Sequence, residues 1–418
     1  MRPETLKIIR CVVCAAPLQV AARRAVSPEG RLRDGLLRCR DCGALYPIVG
    51  WVPRLLPEAE LTAEERVHLE SMRRTEVMAN ENATATVGGT AGAPASARAS
   101  GPVGPAAPSI PVVPRLAPEE RLSESELRAK MEERVRAKLV FDDAPEKLRR
   151  RAELDVAYRV YHTEDKGKFI RTARAHLTRP PRRILDVGGG QGGGLTAFRL
   201  EFRPELAMLL DLDAEWVELA WLRDPDTEVI RADATRMPLA DASFDLMFST
   251  ATLEHIPDWR SAVREMVRVS AEGLLCYNPN AGFPYDAGHL DAPFVTWLPK
   301  APAAYVALLW HRLRATGRSL QSIRSELEVT HYVHRARVVR QLRRSGAEVK
   351  NALGEFLKQT VQDQYHLRGG RLIRFLRDHP GWRGLLVNAF IRTGTEPNVY
   401  LYYRRRESAA GSPPSNSR

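Results

Sequence analysis

The 418-residue sequence lacks any apolar run approaching the roughly 20 residues that a membrane-spanning helix needs. After Lys7 and Arg10 it also lacks the apolar stretch of a signal peptide. Cysteine is scarce: there are five, and four of them fall into two close pairs, which excludes a distributed disulfide framework. From these absences we expect a soluble cytoplasmic protein.

Positive charge is unevenly placed along the chain. The net charge is +12, and residues 301–418 contain 21 Arg and Lys against 8 Asp and Glu. This basic third could contact the phosphates of nucleic acid or anionic lipid headgroups. Arginine outnumbers lysine 54 to 9, however, and that bias is equally expected from codon composition.

Composition divides the chain into segments. Between residues 80 and 118 Ala, Gly, Pro, Ser and Thr dominate, so this stretch cannot bury enough surface to offset its chain entropy and predicts a flexible linker. Before it, Thr62-Ala-Glu-Glu65 is a capping-box pattern that predicts the start of a helix. We therefore expect a small unit over 8–57, a short helix within 58–79, the linker over 80–118, a large domain over 119–405 with an insertion over 279–330, and a disordered tail over 406–418.

Two Cys-x-x-Cys pairs, Cys11 with Cys14 and Cys39 with Cys42, lie within the small unit. Each pair can present two thiolates, and four thiolates complete one tetrahedral zinc site without an open position for water. A redox-active pair is the alternative, but two matched pairs in about 50 residues favour a structural metal that supplies folding free energy.

The run from Cys39-Arg-Asp-Cys42-Gly through Tyr46-Pro-Ile and Pro53-Arg-Leu-Leu-Pro57 resembles small zinc-ribbon proteins. Those proteins act as activator subunits of tRNA, rRNA and release-factor methyltransferases. The resemblance covers about 50 residues and implies a module that stabilises a methyltransferase and performs no chemistry itself. The linker would allow this ribbon to dock on its own catalytic domain or on a neighbour's.

Strand-like and helix-like segments alternate after Pro181 and predict an α/β domain with a parallel sheet covered on both faces. The expected strands are 183–187, 206–211, 227–231, 244–249, 272–277, 347–350 and 398–404. The expected helices are 146–177, 194–202, 214–222, 259–270 and 332–344.

A glycine-rich turn, Gly188-Gly-Gly190-Gln-Gly192, follows the first of these strands. The turn formally meets the dinucleotide fingerprint as well as the pattern of class I S-adenosylmethionine methyltransferases. Asp186 decides against the dinucleotide, because its carboxylate would repel a pyrophosphate at the helix N-terminus, whereas S-adenosylmethionine has no phosphate. An acidic residue at the end of the next strand, Asp211, suits either cofactor.

The run from Met237-Pro through Asp241-Ala-Ser-Phe244-Asp to Leu253-Glu-His255 resembles the class I methyltransferases, and with the glycine turn the resemblance spans about 150–280. It implies a Rossmann-like sheet that binds S-adenosylmethionine. Asp186 and the glycines would line the methionine side, Asp211 would bind the ribose, with Asp213 as second choice, and Asp233 and Ala234 would receive the adenine. The Ser249–Ala251 backbone would lie beneath the methyl group. The implied cofactor-binding residues are Asp186, Gly188, Gly190, Gly192, Asp211, Asp233, Ala234 and Ser249.

Two histidines are candidate general bases. His255 follows the fourth strand of the expected parallel sheet, and His289 lies in the insertion where an acceptor would bind. An alcohol or phenol acceptor needs a base near neutral pH, whereas an amine does not. His255 can alternatively hydrogen-bond at a helix entry, and His289 can simply fix a loop.

The insertion, with Asn278-Pro-Asn280, His289 and Trp297-Leu-Pro299, is similar to one in bacterial methyltransferases tied to cell-envelope glycan or lipid-linked sugar assembly. Gly282 and Asp286 depart from that pattern. The resemblance implies a small-molecule or glycolipid-type acceptor and contact with the inner face of the membrane. Its aromatic residues are expected to form an interfacial patch with a basic rim or a lid helix over the site.

Two other functions remain open from the sequence. The basic third and the ribbon's relatives would suit a tRNA or other RNA methyltransferase. Alternatively, the chain could be an inactive scaffold that activates a separate methyltransferase. The acceptor atom and the oligomeric state do not follow from the sequence.

Overall fold

The computed structural model describes residues 1–28, 30–74, 123, 125–126, 128–130, 132–133, 167–286, 289–356, 375 and 378–406. The linker expected over 80–118, the tail expected beyond residue 406 and most of the helix expected over 146–177 lie outside the described residues. No helix within the described ranges is both long and apolar enough to cross a membrane.

The strands of the described residues follow the alternation that the sequence predicts. They are β1 Leu18–Val26, β2 Leu32–Cys39, β3 Leu45–Val49, β4 Val52–Leu55, β5 Arg183–Val187, β6 Leu206–Asp211, β7 Glu228–Ala232, β8 Phe244–Thr250, β9 Ser270–Pro279, β10 Tyr285–Asp286, β11 Ala292–Pro293, β12 Ala347–Asn351 and β13 Asn398–Arg405. From β5 onwards, each strand of the large sheet begins and ends within two residues of its expected range. The expected α/β class is confirmed.

The helices of the described residues lie between these strands. They are α1 over 63–74, α2 Gly167–His176, α3 Gly193–Phe202, α4 Ala214–Arg223, α5 Trp259–Val269, α6 Lys300–Leu313, α7 Leu320–Val329, α8 Arg335–Arg344 and α9 Pro380–Thr393. The capping box expected at the start of α1 is present, because Thr62 N donates to Glu65 Oε2 at 2.8 Å and Glu65 N donates to Thr62 Oγ1 at 3.2 Å.

One large sheet has the strand order β1-β2-β3-β4-β7-β6-β5-β8-β9-β13-β12. Its centre, from β7 to β9, is parallel, and β13 inserts antiparallel between β9 and β12. The chain reverses direction across the sheet between β5 and β8. In an open α/β sheet this reversal creates the crevice where ligands bind, at the carboxyl ends of the strands.

The N-terminal unit joins this sheet directly. Its β1 to β4 form an antiparallel meander, and β4 then pairs parallel with β7, with Arg54 opposite Arg231 and Leu55 opposite Ala232. The sequence left open where the ribbon docks, and in this structure it docks on its own chain.

A buried ion cluster surrounds the β4–β7 junction. Arg54 is 1% exposed, and its Nε lies 3.1 Å from Glu65 Oε1 on α1. Arg231 of β7 pairs with the other oxygen of the same carboxylate, and its Nε donates to Leu212 O at 2.9 Å. Glu65 therefore neutralises two guanidinium groups from which water is excluded.

Two apolar layers cover the faces of the sheet. One layer packs α5 and α8 against residues such as Leu185 and Met247, and it continues without a break into the ribbon through Ile9 and Tyr46. The other layer contains α2, α3, α4 and α9. The alternation along β5, with Ile184 in the second layer and Leu185 in the first, follows the period of a strand covered on both sides.

The insertion has a small core of its own. Alanines of α6 pack against Ile323 and Leu327 of α7 and against Leu290 and Val295 from the preceding loop. The short β10–β11 pair belongs to this loop. The insertion is therefore a folded cap next to the carboxyl end of β9.

Candidate active site

The glycine turn connects β5 to α3. Gly188, Gly190 and Gly192 have φ angles of +69°, +53° and +80°, which side chains with a Cβ rarely adopt. At Gly188 a Cβ would lie 2.2 Å from Thr252 Cγ2, whereas at Gly190 it would meet no atom within 4 Å. The turn is thus packed tightly on one side and open on the other, where a ligand could approach the backbone.

Asp186 lies beneath this turn and is 2% exposed. A Cβ at Gly189 would lie 2.7 Å from Asp186 Oδ2, and one at Gly194 would lie 3.4 Å from it. The carboxylate therefore occupies the N-terminal end of α3, where a dinucleotide would place its pyrophosphate. This location supports the choice that the sequence suggested.

Asp211, the last residue of β6, faces the same turn. Its Oδ2 accepts a hydrogen bond from Gly190 N at 2.9 Å, and its Oδ1 accepts one from Asp213 N at 3.0 Å. Burial raises the pKa of the Asp211 carboxyl above its ordinary value, and these two N–H groups partly offset the rise. Asp213 instead caps α4 by accepting from Glu215 N and Trp216 N, so Asp211 is the better placed of the two.

The loop after β7 holds Asp233 and Ala234. Asp233 Oδ1 accepts from Thr235 N at 2.8 Å, and its Oδ2 lies 3.5 Å from Arg236 Nε. Arg236 also pairs with Glu60, which follows the ribbon. The expected adenine loop is thereby tied to the N-terminal module.

Ser249 lies at the carboxyl end of β8. It is fully buried, and its Oγ has no hydrogen-bond partner among the described residues. Nearby, Asn278 Oδ1 accepts from Thr252 N and Leu253 N at 3.2 and 2.9 Å, which fixes the chain after β8 against β9. The ends of β5, β6 and β8 thus bring a glycine turn, Asp211 and Ser249 to one edge of the sheet.

The structure brings the two candidate histidines together. The ring centroids of His255 and His289 are 5.3 Å apart, and the rings are nearly perpendicular. His289 Nδ1 lies 2.8 Å from Glu326 Oε1 on α7, and its Nε2 lies 3.7 Å from Glu254 Oε1. His255 is exposed, with Nδ1 3.3 Å from Val329 O.

The surroundings of His289 change its protonation. Burial alone would lower its pKa, but the carboxylates of Glu254, Glu326 and Asp286 raise it to about 10. Without a bound cation, His289 therefore holds its proton at neutral pH. The roles of His255 and His289 as general bases both stay predictions.

Sequence reasoning missed Glu326 and passed over Glu254. Glu254 stood within the Leu253-Glu-His255 run, where its position next to a candidate base was a usable signal. Glu326 lies on α7, 37 residues after His289 in the sequence. No local sequence pattern indicates that these two side chains are in contact. Asp286 accepts from Leu290 N and Tyr332 OH, each at 2.7 Å, so it shapes the loop that holds His289.

The four paired cysteines also converge. Cys11 Sγ lies 3.5 Å from Cys42 Sγ, and Cys14 Sγ lies 3.4 Å from Cys39 Sγ, with all four sulfurs within 4.8 Å. Four thiolates at about 2.3 Å from one zinc ion are about 3.8 Å apart in a tetrahedron, so the cluster fits such an ion.

Tyr46 supports the cysteine cluster from below. Its hydroxyl oxygen lies 3.0 Å from Cys11 Sγ. Burial would raise the pKa of Cys11, but hydrogen bonds from Tyr46, Cys14 and Val13 lower it to about 7. A thiolate at this position is thus stabilised by the surrounding polypeptide.

A cavity of about 1070 Å³ opens at the opposite edge of the sheet, lined by Asp245, Glu272 and Arg404 among others. Asp245 and Glu272 lie near the amino ends of β8 and β9. Ligands of open α/β sheets bind at the carboxyl ends, so we do not assign the active site to this cavity.

Comparison with known proteins covers the segment that contains the glycine turn. Residues 185–277 match the family model described as a methyltransferase domain. The chain has a Rossmann-like α/β sheet of the kind found in such methyltransferase domains.

Two relatives are similar to this chain over about a quarter of its length. A malonyl-[acyl-carrier protein] O-methyltransferase of Halorhodospira halophila is 33% identical over 103 residues, which are 23% of this chain and 34% of that protein. A demethylmenaquinone methyltransferase of Roseiflexus is 33% identical over 107 residues, which are 25% of this chain and 45% of that protein. The chain therefore spans less than half the length of either relative.

Among solved structures, the Haemonchus contortus phosphoethanolamine N-methyltransferase 2, in complex with phosphomonomethylethanolamine and S-adenosylhomocysteine, is similar with a TM-score of 0.35 and 17% identity. The match covers 58% of this chain and 52% of that one.

Proposed function

We propose that the chain is an S-adenosylmethionine-dependent methyltransferase acting on a small-molecule or lipid-linked acceptor. The observation that carries the proposal is the open glycine turn at Gly190, faced by the Asp211 carboxylate, inside the segment that matches the methyltransferase domain. When bound, the cofactor supplies an activated methyl group, so the protein mainly has to orient the acceptor.

Each part of the site has a role in this proposal. Asp211 would accept the ribose hydroxyls, and the glycine turn would let the methionine part approach the backbone. The buried Ser249 Oγ, which has no hydrogen-bond partner within the described ranges, would lie beneath the reacting end. Asp233 and Ala234 would receive the adenine, although Asp233 already bonds within its own turn.

The insertion supports a lipid-linked or otherwise amphipathic acceptor. On α6, Tyr305, Leu309 and Leu313 are 56%, 60% and 75% exposed and recur every fourth residue, so they share one helix face. The opposite alanine face packs into the insertion core, and exposed Arg312 and Arg314 flank the apolar face. An aromatic and basic face of this kind suits shallow insertion among anionic lipid headgroups.

The ribbon would act as a structural zinc module in cis. The four sulfurs fit one zinc ion, and β4 extends the catalytic sheet at its β7 edge. Arg236 then ties the ribbon segment at Glu60 to the adenine loop. We infer that the module stabilises that loop.

RNA is a second candidate acceptor because of α8. Its exposed face carries Arg337, Arg340, Arg343 and Arg344 with no acidic residue in the helix. Such a face would bind a phosphate backbone with strong salt dependence.

Calorimetric titration tests the cofactor assignment. We expect S-adenosylmethionine to bind the full chain, and Asp211→Ala to weaken binding about tenfold or more, because charged hydrogen bonds to the ribose are lost. The matched control is Asp241→Ala, an exposed acid that pairs with Arg268 away from the turn and should leave affinity unchanged. Equal affinity in the Asp211 variant, or preferential binding of NAD, would contradict the assignment.

The acceptor class is tested with methyl-labelled cofactor offered together with extracted lipids, water-soluble metabolites and RNA. Label in the lipid or metabolite fraction supports the proposal. Label only in RNA would move the conclusion to the second candidate. Cofactor binding without transfer to any fraction would favour the scaffold alternative.

A further inference from the structure

Glu254 is a buried carboxylate that lies next to two histidines. Its side chain is completely excluded from solvent, and neither oxygen has a hydrogen-bond partner in the part of the chain that the structure describes. It lies in the single turn Leu253–His255 that directly follows β8, and its backbone carbonyl accepts from His331 N at 2.6 Å. Its Oε1 lies 3.7 Å from His289 Nε2, which is too long for a hydrogen bond. A metal ion bound between these two side chains would satisfy the buried carboxylate more directly.

Two imidazoles lie beside that carboxylate. Donor atoms of Glu254, His255 and His289 are all within 4.8 Å of one another. His289 Nδ1 lies against Glu326, and His255 Nδ1 lies against Val329 O. In a neutral imidazole whose Nδ1 donates to such an oxygen, Nε2 has the lone pair that binds a metal, and the outer oxygen orients the ring. A metal ion at this position would displace the second proton of His289.

We propose that Glu254, His255 and His289 form a binding site for a divalent cation of the Mn²⁺, Fe²⁺ and Zn²⁺ group. Two imidazoles and one carboxylate are the donor set that these ions share. Three protein ligands leave coordination positions open, as in sites that bind a substrate directly. The carboxylates of Glu326 and Asp286 add to the negative potential around the site.

The site lies next to the proposed cofactor pocket, and its catalytic role rests on the proposed function. Thr252 precedes the ligand turn by one residue, and its Oγ1 lies 3.3 Å from Val187 O, at the start of the glycine turn. An acceptor hydroxyl bound at an open position would lose its proton to solvent more readily.

The methyl transfer forms one bond and breaks one bond. The acceptor oxygen's electron pair forms the new bond to the methyl carbon, and the electron pair of the breaking carbon–sulfur bond stays on sulfur. The sulfonium thereby becomes a neutral thioether. The cation is neither oxidised nor reduced.

Mn²⁺ titration of the full chain loaded with one equivalent of zinc, which the four thiolates bind first, tests the site without any need for turnover. The electron paramagnetic resonance signal of free Mn²⁺ follows the binding. Mn²⁺ is a poor competitor for thiolates, so the cysteine cluster should not contribute. We expect one saturable site. The exposed His255→Ala and the isosteric Glu254→Gln should each weaken it about tenfold or more.

His334→Ala is the matched control, because His334 is an exposed histidine at the start of α8 and outside the cluster. Circular dichroism and cofactor affinity show whether each variant is folded. Absence of saturable binding at millimolar Mn²⁺, or equal binding by the wild type and the folded His255→Ala variant, would overturn the proposal. If Mn²⁺ binds but S-adenosylmethionine does not, the cation site stands and the proposed function fails.

Discussion

Gly188 shows how a single position can set the shape of the cofactor turn. Its N–H donates to Leu210 O at 2.8 Å, which joins the turn to β6, and a Cβ added to it would lie within 3.0 Å of three atoms of the Thr252 side chain. A residue with a side chain would be strained at this φ angle of +69°, and its Cβ would lie only 2.2 Å from Thr252 Cγ2. Sequence reasoning selected this glycine from the motif, and the structure adds the reason that the motif cannot vary at this position.

The first prediction follows from that contact. Gly188→Ala should lower the free energy of unfolding by about 3 kcal/mol or more and abolish cofactor binding, because Thr252 must move and the turn must open. Gly346→Ala is the control: its φ is +85° with no atom within 4 Å of the added Cβ, so only backbone strain of about 1–2 kcal/mol is expected. Urea unfolding measures both, and equal losses would show that the Thr252 contact is unimportant.

Among the secondary-structure elements, the short strand β4 completes one edge of the parallel sheet. It contains four residues, Val52–Leu55, including a proline and an arginine. Yet it covers the β7 edge of the parallel sheet, which would otherwise present unpaired N–H and C=O groups. Folding of the ribbon and completion of the catalytic sheet are therefore one event at this edge.

The elements differ in how far the sequence could predict them. The strands from β5 to β9 were predictable because each is a short apolar run between helical patterns, and the helices between them carry clear periodicity. The β4–β7 pairing was not, because Arg54 and Arg231 read as surface residues. Only the structure shows that Glu65 neutralises them inside the junction. The contact of Glu326 with His289 was likewise invisible, since it depends on how the insertion folds.

The second prediction concerns this junction. Glu65→Gln should lower the free energy of unfolding by about 3–5 kcal/mol, because two buried guanidinium groups lose their shared anion. Among the described residues Arg54 retains a second carboxylate partner, Glu218, whereas Arg231 retains the carbonyl of Leu212. The neighbouring Glu64→Gln removes the same charge from an exposed position and should change stability by less than about 0.5 kcal/mol. A Glu65 variant as stable as the control would show that the ion cluster contributes little.

For the whole molecule, the decisive feature is a continuous core. Ile9 and Tyr46 of the ribbon belong to the same apolar layer as Ile230, Leu239 and Met247 of the catalytic sheet. Ile9 also bridges to Leu239, and Arg10 N donates to Pro238 O at 2.8 Å. The apolar layer is continuous across the junction, so the ribbon and the sheet are expected to unfold together.

The third prediction follows from this continuous core. It concerns the effect of the cysteine cluster on the thermal stability of the whole chain, including the proposed cofactor site. Cys42→Ser should remove one zinc ligand and lower the melting temperature of the entire chain by about 5 °C or more in a single transition. Val13→Ser, an exposed change between Cys11 and Cys14, keeps all four thiolates and should melt as the wild type does. Calorimetry with and without S-adenosylmethionine follows both variants. The Cys42 variant could instead show two transitions, with the melting temperature of the cofactor-stabilised one unchanged. That result would show that the ribbon unfolds independently of the large sheet and would contradict the prediction.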